Sequence, residues 1–347
     1  MLDRFMLLGG AASLRQRRAP RIRERKLRRD GRPSKERERV VDLGMDGKAL
    51  TLGIEEEFHL VDLATRRLTP RASEVLAALS ASARTFTAEL QQTTVETNTE
   101  VVTDLAGLKL SLLGLRTELV AAAGRLDIGI ASAGTVPLCV PEVPITENPR
   151  FRHMRAEYQL LVREQFICGM HVHVGIADRN AAVMLLERVA PFLPPLLALS
   201  ASSPFSFTGV DSGYASTRTL IWTRWPTAAA AGPLPSAAAY DALVRDLIAT
   251  GVITDPGMIY FEVRPSAHVP TVELRICDAC PRIDTVVLIA GLFRALVARE
   301  LRRFEKGEPP FVVAPPIQRA SMWRAARSGL EGDLVDPSVP RAVPAPV

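Results

Sequence analysis

Residues 51–60 read TLGIEEEFHL, a strand-like run in which Ile54 and Phe58 flank three consecutive glutamates. Adjacent carboxylates repel, and a carboxylate that faces a core has to be paired or bind a cation. A β-strand relieves part of this conflict, because successive side chains point to opposite faces. Glu55 and Glu57 then share one face, while Glu56 falls on the other with Ile54 and Phe58. The run asks for a polar cavity on one side of a sheet. On the other side it asks for solvent or an arginine to meet Glu56.

The same two-residue rule joins three further segments. In GMHVHVG, His171 and His173 share a face and the valines take the other; in TVELRICD, Glu273, Arg275 and Cys277 are expected together. TVETNT adds Glu96, with Asn98 beside it. Each pattern has an ordinary explanation alone: a solvated Glu-x-Glu, a hydrogen-bonded His-x-His, a cross-strand ion pair. Together they describe a sheet with one face packed on helices and the other lining a polar cavity. Carboxylates joined by imidazole suit Mg²⁺ or Mn²⁺, and a cleft of acids, metal and arginines holds the phosphates of a nucleotide.

The periodicities give an irregular alternation of strands and helices. Strands are expected at 50–62, across FTAELQQTTVETNT, in FICGMHVHVGI, and in the neighbouring pair MIYFEVRPS and TVELRICDA. Ser73 is a candidate N-cap for SEVLAALSA, Thr103 or Asp104 for the long run after it, and Asp178 and Ser236 for two more helices. Gly251 stops the helix that Ser236 opens. A further helix is expected after Pro149, and a long apolar one runs from about Ile283 to Phe304. Strands joined by short loops, with helices to one side, indicate an antiparallel α+β fold.

Charge is unevenly placed. Residues 1–40 hold 14 Lys/Arg against 5 Asp/Glu, so the overall +5 leaves the remainder at −4. The first 45 residues read as a basic, disordered extension, and the body gives no case for nucleic-acid binding beyond nonspecific contact with that tail. No stretch is expected to cross a membrane. Four cysteines are too few for a disulfide scaffold, which fits a reduced, cytoplasmic protein. CDAC has metal or redox spacing but no second pair, so packing cysteines are expected. No Walker loop, GxGxxG or GxSxG is present, which disfavours P-loop, Rossmann and α/β-hydrolase sites.

The stretches LGIEEEFHLVD, VETNTEV, REQFICGMHVHVGI, DSGYASTRTLIWTRWPTA, DPGMIYFEVRPSAHVPTVELRICDAC and MWRAARSGLEGDLVDP run in order from about residue 49 to about residue 336. They resemble the bacterial glutamate–cysteine ligase type 2 family, also called carboxylate–amine ligases. The resemblance implies a glutamine-synthetase-like fold, an antiparallel, funnel-shaped sheet with helices on its outer face. It also implies ATP and Mg²⁺, with Mn²⁺ the alternative ion. The implied reaction joins the γ-carboxylate of glutamate, through an acyl phosphate, to the amine of cysteine or another amine.

Carried over motif by motif, the residues around metal and phosphate are Glu55, Glu57, Glu96, His171, Glu273 and Arg275, the set the strand argument selects. Arg275 and Arg264 are candidate phosphate or carboxylate clamps. Arg218 and Arg224 lie in an expected loop, open between cofactor binding and the surface. His173 stands behind the ligands or against the substrate. The implied partners are small molecules, and a homodimer is left open. Two departures accompany the resemblance: the basic extension, and a proline-rich, disordered tail at 337–347 where the family continues with a helical region. The catalytic domain is expected over 46–336. A metal-dependent amide hydrolase and a truncated, non-catalytic nucleotide-binding relative remain as rival readings.

Overall fold

The computed structural model describes residues 50–79, 85–137 and 142–345; the expected basic extension lies outside them. In chain order the elements are β1 (Leu52–Asp62), α1 (Ala72–Ala77), β2 (Phe86–Ala88), β3 (Thr94–Asn98), α2 (Leu105–Gly124), β4 (Ile128–Ala131), α3 (Pro149–Tyr158), α4 (Leu160–Arg163) and β5 (Gly169–Gly175). Next come α5 (Arg179–Val189), α6 (Leu193–Ser200), α7 (Thr217–Trp222), α8 (Ala237–Ala249), β6 (Val263–Pro265) and β7 (Thr271–Asp278). The described chain closes with α9 (Ile283–Glu305), α10 (Pro315–Ser328), β8 (Asp333–Asp336) and β9 (Arg341–Pro344).

The main sheet has seven strands in the order β2-β3-β1-β5-β7-β6, with β4 added beside β1. All its pairings are antiparallel. β1 organises it. Along one edge β1 pairs with β3; along the other it pairs first with β5, through Glu56, and then with β4 from His59 onward. A strand too long for one partner splays its neighbours apart.

Alternation along β1 follows the two-residue rule. Leu52, Ile54, Phe58 and Leu60 are buried on the helix side, where Leu52 and Ile54 join Met170, Val172 and Val174 of β5 and Leu274 of β7 in the main core. Phe58 and Leu60 pack with Val95, Leu119 and Ile128 in a second cluster beneath α2. Glu56 shares that apolar face and is fully buried. Its partner is Arg116 of α2, which meets it with Nη2 at 2.5 Å and Nε at 3.1 Å.

Helix starts follow from capping chemistry. The side chains of Asp104, Asp178 and Ser236 accept the N–H groups of Gly107, Asn180 and Ala239. Gly251, at φ +76°, follows α8 in the left-handed region that favours glycine. Ser73 does not cap α1, whose N-cap is Arg71; Ser73 sits inside the helix. FTAELQQTTVETNT is a hairpin of two short strands rather than one strand. Of MIYFEVRPS only Val263–Pro265 is extended, and Pro256–Met258 forms a 3₁₀ turn.

One further expectation is corrected. Residues 341–344 are not a disordered tail but the second strand of a hairpin with β8, turned by an Asp336 carboxylate that accepts the Ser338 N–H and hydroxyl. Pro344 sits at the end of this two-stranded ribbon, where its missing N–H is tolerated. The run Arg179–Ser200 has the length and apolar character of a membrane span, but it is broken by prolines and two-thirds (67%) buried.

Candidate active site

The polar face of the sheet forms the site because cross-strand register brings its odd-numbered β1 residues against β3 and β5. Glu55 lies opposite His171 and Asn98, Glu57 opposite Glu96, and His173 opposite Glu273. Of these, Glu55, Glu57, Glu96 and His171 line a cavity of about 700 Å³, walled further by Trp222, Trp225 and Tyr260. Glu273 and His173 are buried behind that lining, each within reach of Glu55.

Two groups of possible cation ligands form here, each with donor atoms within 4.8 Å of one another: Glu55, His173 and Glu273, and Glu57, Glu89 and Glu96. Their charge balances differ. In the first, Glu55 Oε2 is 2.8 Å from His171 Nδ1, and Glu55 Oε1 is 3.2 Å from His173 Nε2. His173 Nδ1 is fixed by Thr271 Oγ1 at 2.8 Å. Glu273 receives Arg264 in a fork, at 2.8 and 3.3 Å, and also Arg275. Burial alone would raise the Glu55 pKa, yet hydrogen bonds from His171 and His173 hold it below the ordinary carboxylate range. Burial likewise opposes ionisation of Glu273, but Arg275 and Arg264 outweigh it and bring its pKa to about 2. Burial and nearby Arg275 lower His171, whereas for His173 the effect of burial is exceeded by Glu55 and Glu273, which raise it. The protein already neutralises this group.

In the second group no basic side chain bonds to a carboxylate among the described residues; Arg150 and Arg275 act on Glu89 and Glu57 only at longer range. Glu57 accepts the Gly169 N–H at 2.5 Å, Glu89 the N–H of Leu90, and Glu96 the Thr87 hydroxyl and the Asn98 amide. All of these donors are neutral. Burial, with Glu57 adding repulsion, pushes Glu89 up to about 7; burial and Glu89 push Glu96 well above its ordinary value. Three converging carboxylates offer oxygen donors of the kind that Mg²⁺ prefers. This donor set fits a divalent cation, which would replace the protons that Glu89 and Glu96 otherwise retain.

The remaining candidates divide between cavity and scaffold. Arg264 also donates to the carbonyls of Gly257 and Ile259, so it braces β6 as well as Glu273. Arg218 lines the cavity and is buried. Arg224 does not line it: the guanidinium is 2.5 Å from Glu164, drawn into an ion pair. His173, not His171, completes the first three-donor group. Cys277 does not share the face of Glu273, because a bulge opposite His171 shifts the register and turns it into the main core against Met170. Cys168, Cys277 and Cys280 are free and buried, and burial raises all three thiols.

Residues 51–346 match the glutamate-cysteine ligase family 2. The chain belongs to that family. A family 2 relative from Mycolicibacterium smegmatis, named as a glutamate–cysteine ligase 2-2, is 57% identical over 85% of this chain and 74% of its own length. One from Rhodococcus jostii, named as a glutamate–cysteine ligase 2-3, is 56% identical over 85% of this chain but only 37% of its own length, so the chain spans little more than a third of that protein. The fold is shared with solved ligases. A bifunctional glutathione synthetase from Pasteurella multocida aligns with a TM-score of 0.63 at 12% identity, over 84% of this chain and 43% of that one. A glutamate–cysteine ligase from Francisella tularensis in complex with AMP aligns at 0.59 and 14%, over 85% and 74%. These ligase neighbours bear out the expected α+β fold for this family 2 chain.

Family 2 motifs carried Glu57 and Glu96 to the site, but Glu89 escaped the sequence reading. Its signal lies in the hairpin: Thr87 faces Glu96 and Ala88 faces Val95, which puts Glu89, two residues after Thr87, on the polar side.

Proposed function

We propose that this family 2 domain is an ATP-dependent carboxylate–amine ligase acting on glutamate and the amine of cysteine or another amine. The observation that carries the reading is the trio Glu57, Glu89 and Glu96, converging with no bonded basic side chain among the described residues and set in one cavity with arginines on the polar face of an antiparallel sheet. The name of the M. smegmatis relative and the AMP bound to the Francisella ligase support it.

In this reading the γ-phosphoryl group of ATP passes to a carboxylate oxygen of glutamate, leaving ADP and an acyl phosphate. The amine nitrogen then bonds to the acyl carbon as the bond to phosphate oxygen breaks, and a proton is released. Glu57, Glu89 and Glu96 would hold Mg²⁺, which supplies positive charge to the polyphosphate when bound. Arg275, stacked at 6.0 Å over the Tyr260 ring and paired to Glu273, is placed to face phosphate or carboxylate oxygen. The free, buried thiols agree with a cytoplasmic setting.

Purified protein with ATP, Mg²⁺, glutamate and a panel of amines tests the proposal by release of ADP and amide product. ADP release that requires both glutamate and amine supports it. Amide cleavage without ATP would replace it with a metal-dependent hydrolase, and nucleotide binding without turnover by any amine would replace it with a non-catalytic relative.

A further inference from the structure

We propose that His268 is the base that deprotonates the incoming amine, a role that rests on the ligase reading above. At neutral pH an aliphatic amine is mostly ammonium, whose nitrogen has no lone pair to offer an acyl phosphate. One proton must leave before the new bond forms, and the site has to receive it.

Most cavity groups that could accept a proton are already committed. Glu57, Glu89 and Glu96 converge as candidate cation ligands, and Glu55 is held between His171 and His173. Asp255 pairs with Arg150 and accepts the Gly257 N–H. His171 is buried and bonded to Glu55. Burial raises the Tyr260 phenol above its ordinary value, so it keeps its proton. His268 differs from all of these. It lines the same cavity and is exposed, and its ring makes no hydrogen bond or ion pair among the described residues. Imidazole is the side chain used most often for proton transfer. An exposed ring can also hand the proton on to water.

The β6–β7 hairpin sets its position. Arg264 lies opposite Glu273 and Pro265 opposite Val272, and the Ser266 N–H closes the loop on the Thr271 carbonyl at 3.0 Å. His268 stands in that loop, its backbone N–H donating to Ser266 Oγ at 3.3 Å. Thr271, where the loop ends, holds His173 through its hydroxyl at 2.8 Å. The loop thus hangs between Arg264, which lines the cavity, and the threonine that orients His173. Between Ser266 and Thr271, His268 is the one residue with a titratable side chain.

In the reaction, the neutral imidazole takes one ammonium proton at its unprotonated ring nitrogen. The freed lone pair forms the bond from nitrogen to the acyl carbon. The bond from that carbon to phosphate oxygen breaks, and its electron pair leaves with phosphate. A second N–H proton goes to the departing phosphate, and the imidazolium returns its proton to solvent.

The test compares the best amine of the panel with hydroxylamine, which is largely unprotonated at neutral pH and attacks without a base. ADP release and product are measured at saturating ATP, Mg²⁺ and glutamate for wild type, His268→Gln and His268→Ala. Both variants should lose about 100-fold or more in kcat with the amine, but no more than about threefold with hydroxylamine. Turnover with hydroxylamine also shows that each variant is folded and still makes the acyl phosphate. Losses with the two nucleophiles that fall within about tenfold of each other would overturn the assignment. A wild type that releases no glutamate-dependent ADP with either nucleophile would overturn the ligase reading instead.

Discussion

Glu56 and Arg116 form a two-bonded ion pair on the helix side of the sheet, with the carboxylate fully buried and the arginine side chain 14% exposed. Arg116 also donates to the carbonyls of Cys280 and Pro281. One guanidinium thus ties α2 to the middle of β1 and to the chain leaving β7. The glutamate triplet divides its work: the outer two face the cavity, and the middle one braces the sheet.

Arg116→Met should destabilise the protein by about 3–5 kcal/mol, because it strands a buried carboxylate. The double variant Glu56→Leu/Arg116→Met should recover most of that loss, since an apolar pair of similar volume satisfies the same space. Urea unfolding midpoints with unchanged m-values measure both. A double variant no more stable than the single one would show that the carbonyl bonds, not the ion pair, carry the brace.

How much of this was legible follows the period of the strand. Glu55, Glu57, Glu96, His171, His173 and Glu273 could be placed on one face because alternation is local, and Asp104, Asp178 and Ser236 could be named as caps for the same reason. Long-range partners were not legible. Arg116 lies 60 residues from Glu56 with no spacing signal in α2. The bulge that turns Cys277 inward depends on the pairing of β5 with β7, not on TVELRICD itself. Arg224 could not be excluded from the site until Glu164 was seen beside it. Arg264 shows the opposite limit: its type fitted a clamp, but Glu273 and two carbonyls already occupy it.

Magnesium should stabilise the protein, and through the three-acid group. Filling that site at about 100 times its dissociation constant adds about 2.7 kcal/mol, a rise in melting temperature of several degrees. Glu96→Gln should remove most of the rise, and its melting temperature without magnesium should be no lower than that of wild type, because glutamine stands in for the neutral carboxyl that Glu96 keeps when no cation is bound. Melting curves with magnesium and with chelator give both comparisons. An undiminished magnesium shift in Glu96→Gln would place the cation elsewhere.

The same group sets a pH dependence. Glu89 is raised to about 7 by burial and Glu57, and Glu96 is raised well above its ordinary value by burial and Glu89. Between the ordinary carboxylate value and pH 7, the folded state therefore binds more protons than the unfolded one, and stability must fall as pH rises. With chelator present, a decline of at most about 1.4 kcal/mol per pH unit for each titrating group is expected from about pH 5 to 7. Magnesium should flatten it, because the cation displaces those protons and binds more tightly as pH rises. Urea unfolding across that range, with and without magnesium, reads the slope. A metal-free protein that gains stability over this window would contradict the raised values.

Glu55 and Glu273 should separate turnover from stability. Glu55 meets only two imidazoles, and glutamine can still hydrogen-bond to His171; Glu55→Gln should lower kcat by about 100-fold or more while stability stays within about 1 kcal/mol. Glu273 is the shared counter-charge of Arg264 and Arg275, so Glu273→Gln leaves two buried guanidinium groups facing a neutral amide. That variant should lose turnover and about 2–4 kcal/mol of stability together. Steady-state ADP release set beside urea unfolding for each protein distinguishes the two roles. Equal stability losses would mean that the histidines depend on the Glu55 charge as strongly as the arginines depend on Glu273, and the first acid group would then be a single structural unit rather than a scaffolded site.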